Sequence, residues 1–298
     1  MIRADCEGQN MDHIRTRRIP FEFPDDIEPY WKADMPEWCA LLNGLSLTMP
    51  YLEPFLIASV RDANERIDDP EINSQARSFI EQEAQHFSQH RKFNELLKRK
   101  GYAELAEVEA DMTNAYAKLA EKPLQQRMAY TSGFETMTIG LTKWFVDHRQ
   151  RLFGGADNRV VSVMLWHIVE EAEHKNVAIN VYRAACPGYL PWAYGIFHGS
   201  GHVLYYAFKG AAVMLKRDGL WRKPSTQLRL VRLMSSFLAT LLPIMLRALS
   251  PTHHPRRISD PAWVESWLAE FERSFPDKKG VPLLNTTHPD LPPRFVAG

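Results

Sequence analysis

The chain has 298 residues, 45% hydrophobic and 24% charged, proportions that are typical of a globular protein and argue against extensive disorder. Lysine plus arginine and aspartate plus glutamate both number 36, so no global charge favours a nucleic-acid partner. The three cysteines, Cys6, Cys39 and Cys186, form no C-x-x-C pair. This argues against a cysteine-ligated zinc or iron–sulfur site and favours a reducing compartment.

The two ends of the chain differ in texture from its middle. Residues 1–34 are polar and rich in proline, and we expect an extended arm on the surface. No apolar run follows the first charges, so this segment is not a secretory signal, and we expect a cytoplasmic protein. Residues 276–298 are predicted to be a proline-rich tail, and residues 35–275 are predicted to form a single domain.

The middle of the chain is predicted to be all-α. Apolar residues recur there at three- and four-residue spacing, whereas alternating β-branched runs are almost absent. Pro50 suits the first turn of a helix, so we place a helix boundary in front of it. The predicted helices cover residues 36–46, 50–67, 71–100, 103–120, 123–153, 157–184, 190–217, 226–249 and 261–274.

Two of these helices, at 190–217 and 226–249, are strongly apolar. Neither contains an uninterrupted apolar run of about 18 residues, the length that a membrane span requires. We therefore predict buried or interfacial helices that are added to the main bundle, and contact of the protein with a membrane surface is the alternative to a purely cytoplasmic location.

Two turns of the sequence Glu-x-x-His are the strongest chemical signal in the chain. Each lies on a long predicted helix, and each is preceded by a helix that carries one glutamate in apolar company. Glutamate and a histidine three residues later share one helix face, so both side chains can reach the same ion. In chain order the candidate ligands are Glu53, Glu83, His86, Glu135, Glu171 and His174.

This order is the one that a di-metal site in a four-helix bundle requires, with one glutamate from each of two helices and a Glu-x-x-His turn from each of the other two. Four carboxylates bring four negative charges into a core, and two divalent cations cancel them. The constellation resembles the ferritin-like diiron carboxylate superfamily over about residues 45–185. That resemblance implies a ferritin-like four-helix bundle with additional C-terminal helices.

His167 adds a seventh candidate ligand, because it lies four residues before Glu171 on the same face. The resulting pattern, H-x-x-x-E-x-x-H, resembles that of the nonhaem diiron arylamine N-oxygenases, in which a third histidine binds the metal. The alternative is a histidine that only hydrogen-bonds a ligating glutamate. Over the whole chain, LTMPYLEPFLIASVRD, EQEAQHFSQHRKFN and EEAEHKNVAINVY resemble a bacterial family described as predicted metal-dependent hydrolases.

Three polar neighbours of these residues are interpreted differently. Glu170 and Glu173 lie on other helix faces, and we expect each to have a lysine or arginine partner. His90 follows His86 by one helical turn, and it is either a group behind the ligands or a solvated residue.

The main functional prediction is a diiron oxygenase or oxidase that uses O2 to oxidise an apolar or aromatic small molecule, as the superfamily resemblance implies. The alternative is a binuclear metal-dependent hydrolase, and metal storage or protection against oxidative stress is a third interpretation. Oxygen and nitrogen ligands without thiolate favour iron, with manganese or zinc as alternatives. The expected partners are a small-molecule substrate, an electron-donor protein for the oxygenase, and a second copy of the chain in a homodimer.

Overall fold

The computed structural model describes residues 14–277 and 279–296, so residues 1–13 of the predicted arm and parts of the predicted tail lie outside the described residues. The described chain is helical, and its sole β pairing is an isolated bridge between Leu284 and Phe295. The prediction of an all-α protein is confirmed. The helices are α1 (Pro36–Asn64), α2 (Pro70–Arg99), α3 (Leu105–Ala120), α4 (Leu124–Asp147), α5 (Arg149–Phe153), α6 (Asn158–His174), α7 (Val177–Ala185), α8 (Tyr189–Arg217), α9 (Pro224–Ala248) and α10 (Ala262–Ser274).

Four helices form the central bundle. Helix α1 packs on α2 and α4, and α6 packs on the same two helices, so the four enclose a common interior. Helix α6 is apolar on nearly every side, with Val160, Leu165 and Val169 fully buried, which is the pattern of a helix surrounded by protein. Each such side chain contributes about 1.5–3 kcal/mol of hydrophobic stabilisation when it leaves water.

Helix α1 continues through Pro50, so the predicted boundary before that residue is wrong. Proline has no backbone N–H, and the carbonyl of Ser46 therefore lacks its usual helical donor. The side-chain amide of Asn94 on α2 supplies the replacement, because its Nδ2 donates to the Ser46 carbonyl oxygen at 3.0 Å. A contact from another helix thus overrides the local signal of a proline.

Two predicted helices are each divided in the structure. The helix predicted at 123–153 is broken at His148, where α4 ends and α5 begins. The helix predicted at 157–184 is broken after His174. At the second break the buried Lys175 bonds to the carbonyl of Ile258 at 2.9 Å and to Asp260 at 2.6 Å. The loop after α9 therefore supplies hydrogen-bond acceptors to the Lys175 ammonium group at the point where the chain turns.

Helices α8 and α9 cover one side of the bundle. Helix α8 crosses α1 and α4, and α9 packs on the same pair. The contact with α8 is close because glycines lie at the crossings: a Cβ on Gly195 would clash with the carbonyl oxygen of Ala129, and a Cβ on Gly44 with that of Ala207. Within the described residues, α9 is the one helix long and apolar enough to cross a membrane, and 33% of its most apolar window is buried.

The segment before α1 is not helical, but its side chains enter the protein. Ile19, Phe21, Ile27 and Trp31 are all buried in the main core cluster. Arg17, in the same segment, is 7% exposed and points toward α6. The segment therefore contributes a buried cation close to the interior of the bundle.

Candidate metal centre

The seven candidate ligands meet in the interior of the four-helix bundle. Helix α1 supplies one of them, α2 two, α4 one and α6 three, and each side chain is buried. They form two groups, and within each group one potential ligand atom per residue lies within 4.8 Å of all the others. The first group is Glu53, His86 and His167, and the second is Glu83, Glu135, Glu171 and His174.

Glu83 and Glu171 lie between the two Glu-x-x-His histidines. The Nε2 of His174 is 3.4 Å from Glu83 Oε1 and 3.3 Å from Glu171 Oε2. The Nδ1 of His86 is 3.8 Å from the other oxygen of Glu83 and 3.9 Å from the other oxygen of Glu171. Each of these two carboxylates thus offers one oxygen to each histidine, which is the placement of a ligand that bridges two metal ions.

The remaining ligands divide between the two ends of this arrangement. His167 stacks on His86, with ring centroids 4.0 Å apart, and its Nε2 lies 2.9 Å from Glu171 and 3.6 Å from Glu53. Glu135 lies at the other end, 3.6 Å from the Nε2 of His174. One end therefore has two histidines and a glutamate, and the other has one histidine and a glutamate.

Hydrogen bonds outside the centre fix which nitrogen of His86 faces it. The Nε2 of His86 lies 3.0 Å from Glu170, a carboxylate that accepts a hydrogen bond. The second oxygen of Glu170 accepts from the guanidinium of Arg17 at 3.0 Å. His86 therefore donates from Nε2, and its Nδ1 lone pair points at the carboxylates of the centre.

His174 is oriented in the same way through Gln82. The amide nitrogen of Gln82 donates to Glu173 at 3.0 Å, so its oxygen is the atom that lies 3.0 Å from His174 Nδ1. His174 therefore donates from Nδ1 and directs its Nε2 lone pair into the centre. Glu173 also bonds to both terminal nitrogens of Arg17, at 2.6 and 3.0 Å. The predicted cationic partner of Glu170 and of Glu173 is thus confirmed, and Arg17 serves both.

A third chain of hydrogen bonds orients His167. Because the Asn94 amide nitrogen donates to the Ser46 carbonyl, the Asn94 oxygen faces the Ser46 hydroxyl and accepts from it at 2.8 Å. The Ser46 oxygen then accepts a hydrogen bond from His90 Nδ1 at 2.8 Å. With its proton on Nδ1, His90 accepts at Nε2, and His167 Nδ1 donates to that nitrogen at 2.7 Å. His167 consequently has its lone pair on Nε2, facing Glu171. His90 is buried behind His167 and is not a solvated residue.

Three of the four inner carboxylates lack hydrogen-bond partners. Both oxygens of Glu53, of Glu83 and of Glu135 are buried with no hydrogen-bond partner. A buried carboxylate without a partner costs several kcal/mol. Burial, and then the negative charges of neighbouring glutamates, raise the pKa of Glu53 and of Glu135 well above the ordinary value. These atoms fit a pair of metal cations, which would supply the missing positive charge.

The histidines respond to the same excess of negative charge. Burial opposes protonation of His86 and His174, but hydrogen bonds and nearby carboxylates outweigh it and raise their pKa values to about 9 and about 10. Burial and the proximity of His86 lower the pKa of His167 to about 4. Without metal, a second proton on His86 and on His174, carried by the nitrogen that faces the centre, therefore offsets part of the carboxylate charge, and metal binding must displace it.

An apolar cavity adjoins the centre on the side of His167. It is bounded by His167 and Glu171 at one end and is otherwise lined mainly by aliphatic and aromatic side chains, including Met49, Phe134, Met164 and Ile168. His167 is 9% exposed, more than any other of the seven candidate ligands. The cavity is suited to an apolar group placed next to the histidine-rich end of the centre.

The residues that orient the ligands were not predicted from the sequence. Arg17 is in a segment without helical periodicity, and Gln82, Ser46 and Asn94 are ordinary polar residues on helices. Their roles depend on contacts between distant parts of the chain, such as the Arg17–Glu170 pair. No spacing rule in a single sequence identifies such contacts.

Comparisons with known proteins agree with a metal centre. Neither the curated proteins nor the solved structures that were searched include a match to this chain. A family model described as "predicted metal-dependent hydrolase" matches residues 15–259. The match includes Arg17, every candidate ligand and helices α1–α9. Because it covers most of the sequence, this chain belongs to the family of predicted metal-dependent hydrolases.

Proposed function

We propose that the protein is a dinuclear metalloenzyme with its centre between α1, α2, α4 and α6. One observation carries the proposal: all three histidines bond outward through one ring nitrogen and turn the other toward the inner carboxylates, of which Glu53, Glu83 and Glu135 have no hydrogen-bond partner. A nitrogen lone pair and a carboxylate oxygen repel each other unless a cation or a proton lies between them. Two metal ions between the histidine nitrogens and the carboxylate oxygens would meet this requirement for all seven residues.

The distances assign ligands to the two ions. Glu53, His86 and His167 would hold one ion, Glu135 and His174 the other, and Glu83 and Glu171 would be shared. Carboxylate and imidazole ligands without thiolate suit iron or manganese and are compatible with zinc. We further propose that the bundle is ferritin-like, because one glutamate from each of two helices and Glu-x-x-His from the other two define that type of site.

Metal-dependent hydrolysis is the first candidate reaction, and the family to which the chain belongs favours it. A metal pair activates a water molecule and polarises the bond to be cleaved. The chain supplies the other requirements. The cavity beside His167 presents apolar side chains next to the centre, while the bond from His167 to His90 keeps the imidazole in one tautomer. These features favour a substrate with an apolar acyl or aryl group.

Oxidation of an apolar substrate by O2 is the second candidate reaction, as in a diiron oxygenase or oxidase. The ligand pattern favours it, since paired Glu-x-x-His helices with two further glutamates are typical of di-iron and di-manganese carboxylate proteins. This reaction requires a reducible metal, O2 and an electron donor, whereas hydrolysis proceeds with zinc in the absence of O2.

Metal content tests the centre itself. Protein loaded with iron, manganese or zinc is expected to hold two ions per chain, and Glu83→Gln is expected to lose them because it removes a shared carboxylate charge. Glu95→Gln, an exposed substitution on the same helix, is the control and should keep both ions. Two ions per chain in the Glu83→Gln variant would contradict the assignment.

A second experiment separates the two reactions. We expect zinc-loaded protein without O2 to cleave p-nitrophenyl esters, faster with longer acyl chains, and the Glu171→Gln variant to lose this activity. Iron-loaded, reduced protein is then mixed with O2 in the presence of the same esters. Rapid O2 consumption by the iron form, together with an inactive zinc form, would replace the hydrolase with the oxygenase.

A further inference from the structure

The outward faces of α8 and α9 expose large apolar side chains. On α8, Leu190 is 78% exposed and Tyr194 66%, and on α9, Val231 is 60% exposed and Leu246 63%. Exposed apolar residues are ordinary when they are scattered singly, but a contiguous set marks an interaction surface. The exposed apolar side chains occur along the length of both helices, and we therefore expect them to contact a partner. The members exposed on the two helices are Tyr189, Leu190, Tyr194, Phe197, Tyr205 and Phe208, and Leu228, Val231, Leu242 and Leu246.

An apolar groove joins the two helices on this side of the protein. Leu204 and Phe208 of α8 line one wall, and Met234 and Phe237 of α9 line the other. Side chains of α1 and α4 form the floor of the groove, and Leu41 of α1 is one of them. The outward faces of α8 and α9 and the groove between them are named the α8–α9 face.

The α8–α9 segment is also strongly basic. Residues 189–249 contain eight lysines and arginines and a single acidic residue, Asp218, in a chain whose overall formal charge is zero. Three of the cations, Lys209, Arg217 and Arg229, pair with Asp111, Glu104 and Glu37 from other parts of the chain. The segment keeps an excess of four positive charges after these pairs are counted. Arg222 and Lys223 are exposed in the turn between the helices. Arg232 and Arg247 are exposed on α9, each next to one of the exposed apolar residues. Basic and apolar side chains are thus exposed together on α9 and in the turn before it.

We propose that the α8–α9 face docks on the surface of an anionic phospholipid bilayer. Apolar side chains on a helix that lies in the interface enter the boundary between headgroups and acyl chains, and lysine or arginine near the surface attracts anionic lipid. Helix α9 has high hydropathy, yet only 33% of its most apolar window is buried. Both properties agree with a helix that lies in the membrane interface.

A second copy of the chain is a poorer occupant for this face. A two-fold symmetric dimer through it would bring two segments with the same excess of positive charge together, and juxtaposed like charges oppose association. An anionic bilayer instead complements the charge and covers the apolar side chains at the same time.

The groove lies next to the cavity of the candidate metal centre. Leu42, Leu45, Leu141 and Phe145 line both, so one layer of apolar side chains separates the two spaces. A bilayer docked on this face would therefore lie on the same side of the protein as the cavity. The docking itself depends on α8 and α9 and not on the metal ions.

Vesicle flotation of the full-length protein tests the docking. We expect binding to vesicles of phosphatidylcholine mixed with phosphatidylglycerol, weaker binding to phosphatidylcholine alone, and weakening by added salt because screening acts on exposed charges. The double variant Arg222→Gln/Lys223→Gln is expected to bind the anionic vesicles about 25-fold more weakly, since each basic residue near the surface contributes a factor of about five. The control, Arg77→Gln/Lys92→Gln, removes two exposed charges from α2 and should bind as the unchanged protein does.

A second variant tests the apolar contribution. Val231→Ser/Leu246→Ser alters exposed positions and should keep the melting temperature while weakening vesicle binding. The absence of vesicle binding, or equal loss in the two charge variants, would overturn the proposal. Suppose instead that the unchanged protein does not bind vesicles and sediments as a dimer, and that the serine variant sediments as a monomer. The face would then belong to the contact with a second copy of the chain.

Discussion

His86 donates from its Nε2 to Glu170 across 3.0 Å, and Glu170 in turn accepts from Arg17. The same guanidinium bonds to Glu173, which holds the Gln82 amide that accepts from His174. One arginine in the segment before α1 therefore orients two histidines on different helices. It also neutralises part of the charge of two carboxylates, one buried and one partly buried, that lie outside the candidate metal centre.

We predict that Arg17→Gln weakens metal binding by about 10–100-fold, the usual effect of losing a residue that orients metal ligands. Without Arg17, the buried Glu170 and the partly buried Glu173 lose their shared cation, and the histidines lose their fixed orientation. Competition with a chromophoric chelator measures the affinity. Arg18→Gln is the matched control because Arg18 is the exposed neighbour of Arg17. Equal affinities of the two variants would show that Arg17 does not position the ligands.

Asn94→Ala is expected to destabilise the protein by about 1–3 kcal/mol. The substitution leaves the Ser46 carbonyl without a donor beside Pro50, and an unsatisfied buried group costs about that much. It also removes the acceptor of the Ser46 hydroxyl, which begins the hydrogen-bond chain to His167. Urea unfolding of metal-free protein measures the effect. Asn114→Ala, on an exposed position of α3, should change the stability little, and a similar loss in both variants would contradict the argument.

The periodic part of the fold was predictable from the sequence, but its interruptions were not. Helix α2 lies where apolar spacing placed it, because that spacing reports which face is buried. The break predicted at Pro50 is absent since Asn94, more than forty residues away, replaces the missing hydrogen bond. The break after His174 was missed since no local signal reports the bonds of Lys175 to a distant loop.

The candidate site divides in the same way. All seven predicted ligands share the interior of the bundle because their spacing along helices is itself the geometric information. Their hydrogen bonds to Arg17, Gln82 and His90 arise from tertiary contacts, which a single sequence does not encode in any local pattern. Whether these ligands bind metal stays a prediction until metal content is measured.

The stability of metal-free protein is expected to fall as pH rises from about 6.5, the pKa of histidine in the unfolded chain, toward about 9. The folded pKa values of about 9 for His86 and about 10 for His174 are raised, so the folded state binds more protons in this interval. The raised pKa values of Glu53 and Glu135 act in the same direction. Metal ions displace these protons, so the gain in stability on metal loading should grow with pH.

Urea unfolding with and without chelator, at several pH values in that interval, checks this sign. The His148→Gln variant is the control for an imidazole away from the centre, and it should show the same trend as the unchanged protein. A stability of metal-free protein that is constant or rises through the interval would contradict the raised histidine pKa values.

Two glycines of α8 should respond oppositely to the same substitution. A Cβ on Gly201 meets no atom within 4 Å, so Gly201→Ala is expected to stabilise the protein by up to about 1 kcal/mol through helix propensity. A Cβ on Gly195 clashes with the backbone of Ala129 on α4, so Gly195→Ala should destabilise by about 1–3 kcal/mol because α8 must move away. Urea unfolding compares the two variants directly. A gain in stability with Gly195→Ala would show that α8 does not approach α4 as closely as this packing requires.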